Sequence, residues 1–220
     1  MAKTIEAYLE VGDKRVFAGA LDWPGWCRSG KDEAAALEAL VAYGPRYAEV
    51  LKGTRLGFEA PKDVKVVEKL EGDASTDFGA PGAAPKEDEK KVSEAELERL
   101  ETILRACWRA FDEAVKAAHG KQLAKGPRGG GRTLAKIVEH VLGAESGYMT
   151  RLAHKVEPGR KADELERTRK VAIAALTAAA HGEIPEAGPR GGKYWTARYF
   201  TRRAAWHVLD HAWEIEDRIS

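Results

Sequence analysis

Cysteine is scarce in this chain. Among 220 residues there are two, Cys27 and Cys107, too few for a disulfide framework or a four-thiolate zinc site. A reducing, cytoplasmic setting is therefore expected. An excess of one charge is also missing: Lys and Arg number 36 against 35 for Asp and Glu, a formal net charge of +1. Proteins that coat nucleic acid or anionic membranes usually carry a basic surplus, so a nucleic-acid partner is disfavoured. Long apolar runs are absent as well. The longest, residues 171–180, is interrupted by Thr177 and reaches about half of what a bilayer requires, so no membrane partner is expected. The opening Met-Ala-Lys-Thr-Ile-Glu has no apolar core of a leader, and no export signal is expected. What is present is a 44% share of hydrophobic residues, enough for a packed core and incompatible with global disorder.

Periodicity divides the chain into three parts. In residues 1–71, the stretch 4–10 alternates apolar and polar side chains as a half-buried strand does, Gly12-Asp13 reads as a turn, and 15–21 as the returning strand. Asp32 caps a helical stretch to about Leu51, with Ala35, Leu37, Leu40, Val41, Tyr47 and Val50 facing the core and a break at Gly44-Pro45. Residues 64–70 read as a further strand, which makes this part a small α+β domain. Residues 72–92 have no periodicity and are rich in Gly, Pro and Ala, the composition of a linker. Residues 93–220 then read as four amphipathic helices: 93–119 behind a Ser93-Glu-Ala-Glu capping box, 132–156, 161–181 and 196–219. Short connections between such helices predict an all-α antiparallel four-helix bundle.

Six histidines sort by position. His119, His154 and His181 fall at predicted helix ends, where the partial negative charge favours an imidazolium. The other three lie inside helices. His207 and His211 stand at i and i+4 on the core-facing stripe of the last helix, stacked so that both rings could reach one ion. His140 shares a face of the second bundle helix with Ile137, Ala144 and Gly147, and the two small neighbours leave room for a bound group. Helices two and four start at the same end of an up-down bundle, and the three rings then lie at depths of about 12, 17 and 22 Å, an overlap that permits convergence. Three neutral imidazoles with an open position suit a catalytic divalent ion such as Zn, Ni or Fe. Hydrogen-bonded core histidines are the competing reading. Asp210 and Glu214 adjoin the pair and could orient a ring N–H or form solvated ion pairs.

Around Leu134-Ala-Lys-Ile-Val-Glu-His140-Val-Leu-Gly-Ala-Glu145 and Ala205-Trp206-His207-Val-Leu-Asp-His211-Ala-Trp-Glu-Ile-Glu-Asp-Arg218, residues 93–220 resemble the DinB-like (YfiT-like) superfamily of four-helix metal-binding proteins. One His on the second helix and a His-x3-His pair on a later one is the pattern of that superfamily. The resemblance implies His140, His207 and His211 as metal ligands. Its members include low-molecular-weight-thiol S-transferases and a mycothiol-dependent maleylpyruvate isomerase. More weakly, Phe17-Ala-Gly-Ala-Leu-Asp-Trp-Pro24-Gly25-Trp-Cys-Arg-Ser-Gly30 followed by Asp32-Glu33-Ala34-Ala35 is similar to the HicB-like antitoxin domain, with its Pro-Gly turn, later Gly and Glu-Ala helix start. Two tryptophans flank the Pro-Gly here, and no ribbon-helix-helix extension is visible.

Two functional expectations follow. The first is a metal-dependent enzyme, a thiol transferase or hydrolase, in which the ion activates a low-molecular-weight thiol or water against a small-molecule substrate. Arg128, Arg132, Arg190 and Lys193 precede helices two and four, where free backbone N–H groups also favour an anion; Arg128, Arg190 and Lys193 are the candidate substrate-binding residues. Tyr194, Trp195, Tyr199 and Trp206 could line an apolar wall or simply fill the core. Glu145, on the apolar stripe of helix two, is a candidate catalytic base, with a structural ion pair as the other use of such a carboxylate. Neither cysteine is expected to be a nucleophile. The second expectation is a non-catalytic binding or regulatory module whose HicB-like part docks a protein or RNA partner through Trp23 and Trp26. A homodimer fits either reading.

Overall fold

The computed structural model describes residues 4–125, 131–157, 160, 163–189 and 191–219. Strands β1 (Ile5–Val11) and β2 (Val16–Ala20) form the expected hairpin, with Val11 opposite Val16 at the turn. Strand β3 (Cys27–Gly30) extends the sheet on the other edge of β2. Its sequence, Cys-Arg-Ser-Gly, carries no alternating pattern, which is why it escapes a sequence reading. Strand β4 (Val64–Glu71) lies parallel to β1, and the order across the sheet is β3-β2-β1-β4.

Helices α1 (Glu33–Ala42) and α2 (Gly44–Leu51) make the crossover to β4. The Asp32 side chain accepts from the Ala35 N–H at the start of α1, and Pro45 in the first turn of α2 marks the break between them. Of the six residues expected to face the core, Leu40, Tyr47 and Val50 are buried, whereas Ala35, Leu37 and Val41 are half-buried; Ala36 takes the inner position. Gly30 is required where β3 passes α1, because a Cβ there would lie 2.3 Å from the Ala36 nitrogen.

Residues 72–92 are not a loose tether. Helix α3 (Ala74–Phe78) is capped by Asp73 and closed by Gly79 at φ 116°, and a 3-10 turn follows at Lys86–Glu89. Buried polar groups hold this segment. The Glu10 carboxylate on β1 accepts from the Thr76 hydroxyl (2.5 Å) and from the N–H groups of Gly82 and Ala83 (both 2.9 Å). Asp88 is fully buried. Such anchoring leaves no trace in local hydrophobic periodicity.

Four longer helices follow: α4 (Glu94–Ala118), α5 (Leu134–Thr150), α6 (Glu164–Ala180) and α7 (Ala197–Arg218). Ser93 and Thr196 cap α4 and α7 where the sequence places them. The box at Ser93 is only half made, because the Glu96 carboxylate pairs with Arg198 at 2.7 Å. Helix α5 is shorter than expected. It ends in a left-handed residue, Ala153 (φ 59°), with the His154 N–H donating to the Met149 carbonyl at 2.9 Å. Alanine at that position gives no stop signal.

Helix α7 packs along α4 and also against α5 and α6, and it is buried around most of its circumference. One continuous core runs from Trp26, Leu40 and Tyr47 under the sheet through Leu100, Leu104 and Phe111 to Phe200 and Leu209. At its centre, the Arg202 guanidinium on α7 donates to both Asp88 oxygens (2.7 and 2.8 Å) and to the carbonyls of Ala20 and Leu21 (2.8 and 2.9 Å). Among the described residues, no helix is long and apolar enough to cross a membrane.

Candidate metal centre

Ile137 and Val141 turn one side of α5 into the core and leave His140 half-buried at its edge. On α7, His207 and His211 lie one turn apart and are each 7% exposed. The three rings meet: centroids are 5.1 Å apart for His140 and His207, 5.0 Å for His140 and His211, and 4.8 Å for His207 and His211. The Nε2 atoms of His140 and His207 are 3.2 Å apart, and one nitrogen from each of the three rings lies within 4.8 Å of the others. For metal–nitrogen bonds of about 2.0–2.1 Å, a tetrahedral site has nitrogen edges of about 3.3 Å, so the closest pair already matches.

The electrostatics favour neutral rings. Burial, then the neighbouring His211 and His140, holds His207 well below the usual imidazole range, and His140 is lowered by burial, His211 and Arg132. His211 is oriented from behind. Its Nδ1 donates to Glu214 Oε2 at 2.8 Å, since a carboxylate can only accept, so Nε2 is the nitrogen turned away from Glu214 and available to an ion. Glu214 Oε1 accepts from Arg218 at 2.6 Å, and Arg218 also donates to the carbonyls of Ala124 and Arg132. The hydrogen bond from His211, against the opposing effect of burial, keeps Glu214 below its ordinary range. Asp210, the other adjacent acid, pairs instead with Arg28 at 3.1 Å. Three imidazole nitrogens carried on helices, one ring backed by a carboxylate, fit a divalent ion.

The rings open into a cavity of about 880 Å³ with walls from both halves of the chain. Helices α5 and α7 supply Tyr148, Arg203 and Trp206, while Arg15, Arg28 and the Phe78–Ala80 turn close the opposite side. The remaining sequence candidates fall elsewhere. Glu145 is 2% exposed and faces α4, where its Oε1 accepts from the Trp108 indole N–H at 2.6 Å; it does not line this cavity. Lys193 is exposed on a second cavity beside Tyr194, Trp195 and Tyr199. Arg132 is exposed on the rim of the first. Arg128 and Arg190 lie outside the described residues. Trp26 is fully buried, its N–H donating to the Leu40 carbonyl at 2.8 Å, and Trp23 packs on Phe58 under the Arg99 guanidinium of α4. Trp26 therefore belongs to the core, whereas Trp23 is half-buried. Arg15, Arg28 and Arg203 were not legible as site residues, because only the tertiary fold brings the first two to α7. The Glu214-to-Arg218 contact could have been read from its i, i+4 spacing.

The fold and site define a class: a chain with an N-terminal four-stranded sheet followed mostly by helices, two of which bring together three histidines able to hold a metal ion. The sequence model of the DinB superfamily matches residues 103–215, a span that takes in all three histidines, and the chain belongs to that superfamily. No curated protein and no solved structure matches the chain.

Proposed function

We propose that His140, His207 and His211 hold a divalent ion, Zn, Ni or Fe, and that the protein is a metal-dependent enzyme, a low-molecular-weight-thiol S-transferase or a close relative in chemistry. The observation that carries this reading is the clustering of three imidazole nitrogens within 4.8 Å at the base of an open cavity. When bound, such an ion lowers the pKa of a thiol or water and so supplies a nucleophile at neutral pH. The chain's own groups do the rest. Glu214 orients the His211 ring, Tyr148 and Trp206 flank the His207 ring, and the arginines on the wall offer charge to an anionic substrate. The protein's thiols do not compete: Cys27 and Cys107 are buried, and burial pushes Cys27 up to about 12.

In the same reading, α4–α7 are an antiparallel four-helix bundle, residues 72–92 join it to residues 1–71, and the latter form a HicB-like domain. The turn at Gly25 (φ 94°), the close approach at Gly30 and the start of α1 at Glu33 support that likeness. With Trp26 buried, Trp23 half-buried against Phe58 and Arg99, and Arg15 and Arg28 lining the histidine cavity, the first domain is read as a wall of the site rather than as a docking platform. The test is turnover of a low-molecular-weight thiol with monochlorobimane. Consumption by the metal-loaded protein that is abolished in His207→Ala is expected; no turnover with bacillithiol, mycothiol, glutathione or cysteine would contradict the transferase reading.

A further inference from the structure

Several buried arginine nitrogens have no acceptor among the described residues, those of Arg167, Arg169, Arg198 and Arg203. The first three guanidinium groups donate elsewhere, to the Arg160 carbonyl, Asp112 and Glu96. Arg203 differs. It makes no hydrogen bond or ion pair among the described residues, yet its Nη1 is out of solvent. Its guanidinium lies 4.7 Å from the Trp206 ring centroid and 5.8 Å from that of Tyr148. Ring faces hold such a plane in place but leave its N–H edge unsatisfied, and a buried donor without an acceptor is costly.

Position gives the orphan a meaning. Arg203, Tyr148 and Ala144 line the histidine cavity, and the same three line a second cavity of about 1000 Å³. Trp195 and Tyr199 stand in that second space, and the Trp195 ring is 5.3 Å from Tyr148. The floor of the passage is small-residue helix: a Cβ on Gly147 would meet nothing within 4 Å. Charge points the same way. Of the histidine cavity's acids, Asp210 is paired with Arg28, Glu214 with Arg218 and Asp217 with Arg46, which leaves Arg15, Arg132 and Arg203 without an ionic partner among the described residues.

We infer that the two cavities are one bipartite binding site for an elongated carboxylate-bearing small molecule. Its carboxylate takes the free N–H edge of Arg203, and its flat or apolar body lies between Tyr148, Trp195 and Tyr199. Guanidinium and carboxylate match as planar partners, and Arg203, which lines both cavities, has no other ionic partner among the described residues. The placing of the ligand's reactive end at the histidines rests on the catalytic reading above; the carboxylate contact does not.

The test uses 3-phenylpropionate and its neutral twin, 3-phenylpropionamide, titrated into the full-length protein with and without metal and followed by tryptophan fluorescence. The acid is expected to bind at least about tenfold more tightly than the amide. Arg203→Met should abolish that preference with metal content unchanged and cooperative unfolding retained. Gly147→Phe, which fills the passage, should weaken both ligands. Unaltered acid binding in Arg203→Met, equal binding of acid and amide to the wild type, or no binding of the acid at millimolar concentration would overturn the inference. Because the probes carry no thiol and are read by binding, a failure of metal loading or turnover would strike the catalytic reading instead.

Discussion

Glu145 shows how burial sets the behaviour of one side chain. Its Oε1 takes the Trp108 N–H while Oε2 is buried with no hydrogen-bond partner among the described residues, and burial pushes the carboxyl up from 4.5 to about 7. A raised acid favours the folded state while it stays protonated. Its contribution is complete below about pH 4.5 and is lost as the pH rises through 7, at a cost of about 3 kcal/mol for a shift of this size. Glu145→Gln keeps an acceptor for the indole and removes the titration. Urea unfolding should show the variant gaining on the wild type between pH 4.5 and 8; a gain independent of pH would contradict this. The cysteines make a second case. Both are buried and burial raises both thiols, so neither should react with Ellman's reagent at pH 8 until the protein unfolds. Rapid labelling of the native protein would refute that. At His211 the supporting carboxylate matters: Glu214→Gln should weaken metal binding by about tenfold to hundredfold in a chelator competition, and unchanged affinity would deny the orienting role.

Among the elements, α7 carries both the site and the junction with the sheet. Arg202 joins it to Asp88 and to two carbonyls at the end of β2, with both charged groups almost entirely out of water. Arg202→Met strands the Asp88 carboxylate and should cost about 3–5 kcal/mol in urea unfolding, much of it regained in Arg202→Met/Asp88→Leu, because an unpaired buried charge is worse than none. An equal loss in single and double variants would contradict that account. These long-range polar contacts are also what the sequence hid. The hairpin, β4, the start of α4 and the start of α7 were legible, because alternation and the capping residues Ser93 and Thr196 are local signals. Strand β3 and the order in residues 72–92 were not, since each depends on partners far along the chain, and the end of α5 at Thr150 carries no glycine or proline to announce it. The histidine pair was legible from its i, i+4 spacing. The approach of His140 was only permitted, because errors of a few residues in helix ends blur depth along the helices.

At the scale of the molecule, sheet, connecting segment and helices share one core and close one cavity. The wall opposite the histidines comes from the turn between β1 and β2, from β3 and from the end of α3, through Arg15, Arg28 and the Phe78–Ala80 stretch. The N-terminal half thus shapes access to a centre whose three imidazoles all lie in the C-terminal half. Everything proposed for its chemistry depends on those rings acting as one ligand set. Zinc titration of the metal-free protein by calorimetry tests this most directly. The account predicts one saturable site per chain, retained in Glu145→Gln and lost in His140→Ala, His207→Ala and His211→Ala alike; no saturable uptake, or uptake indifferent to His140, would contradict it.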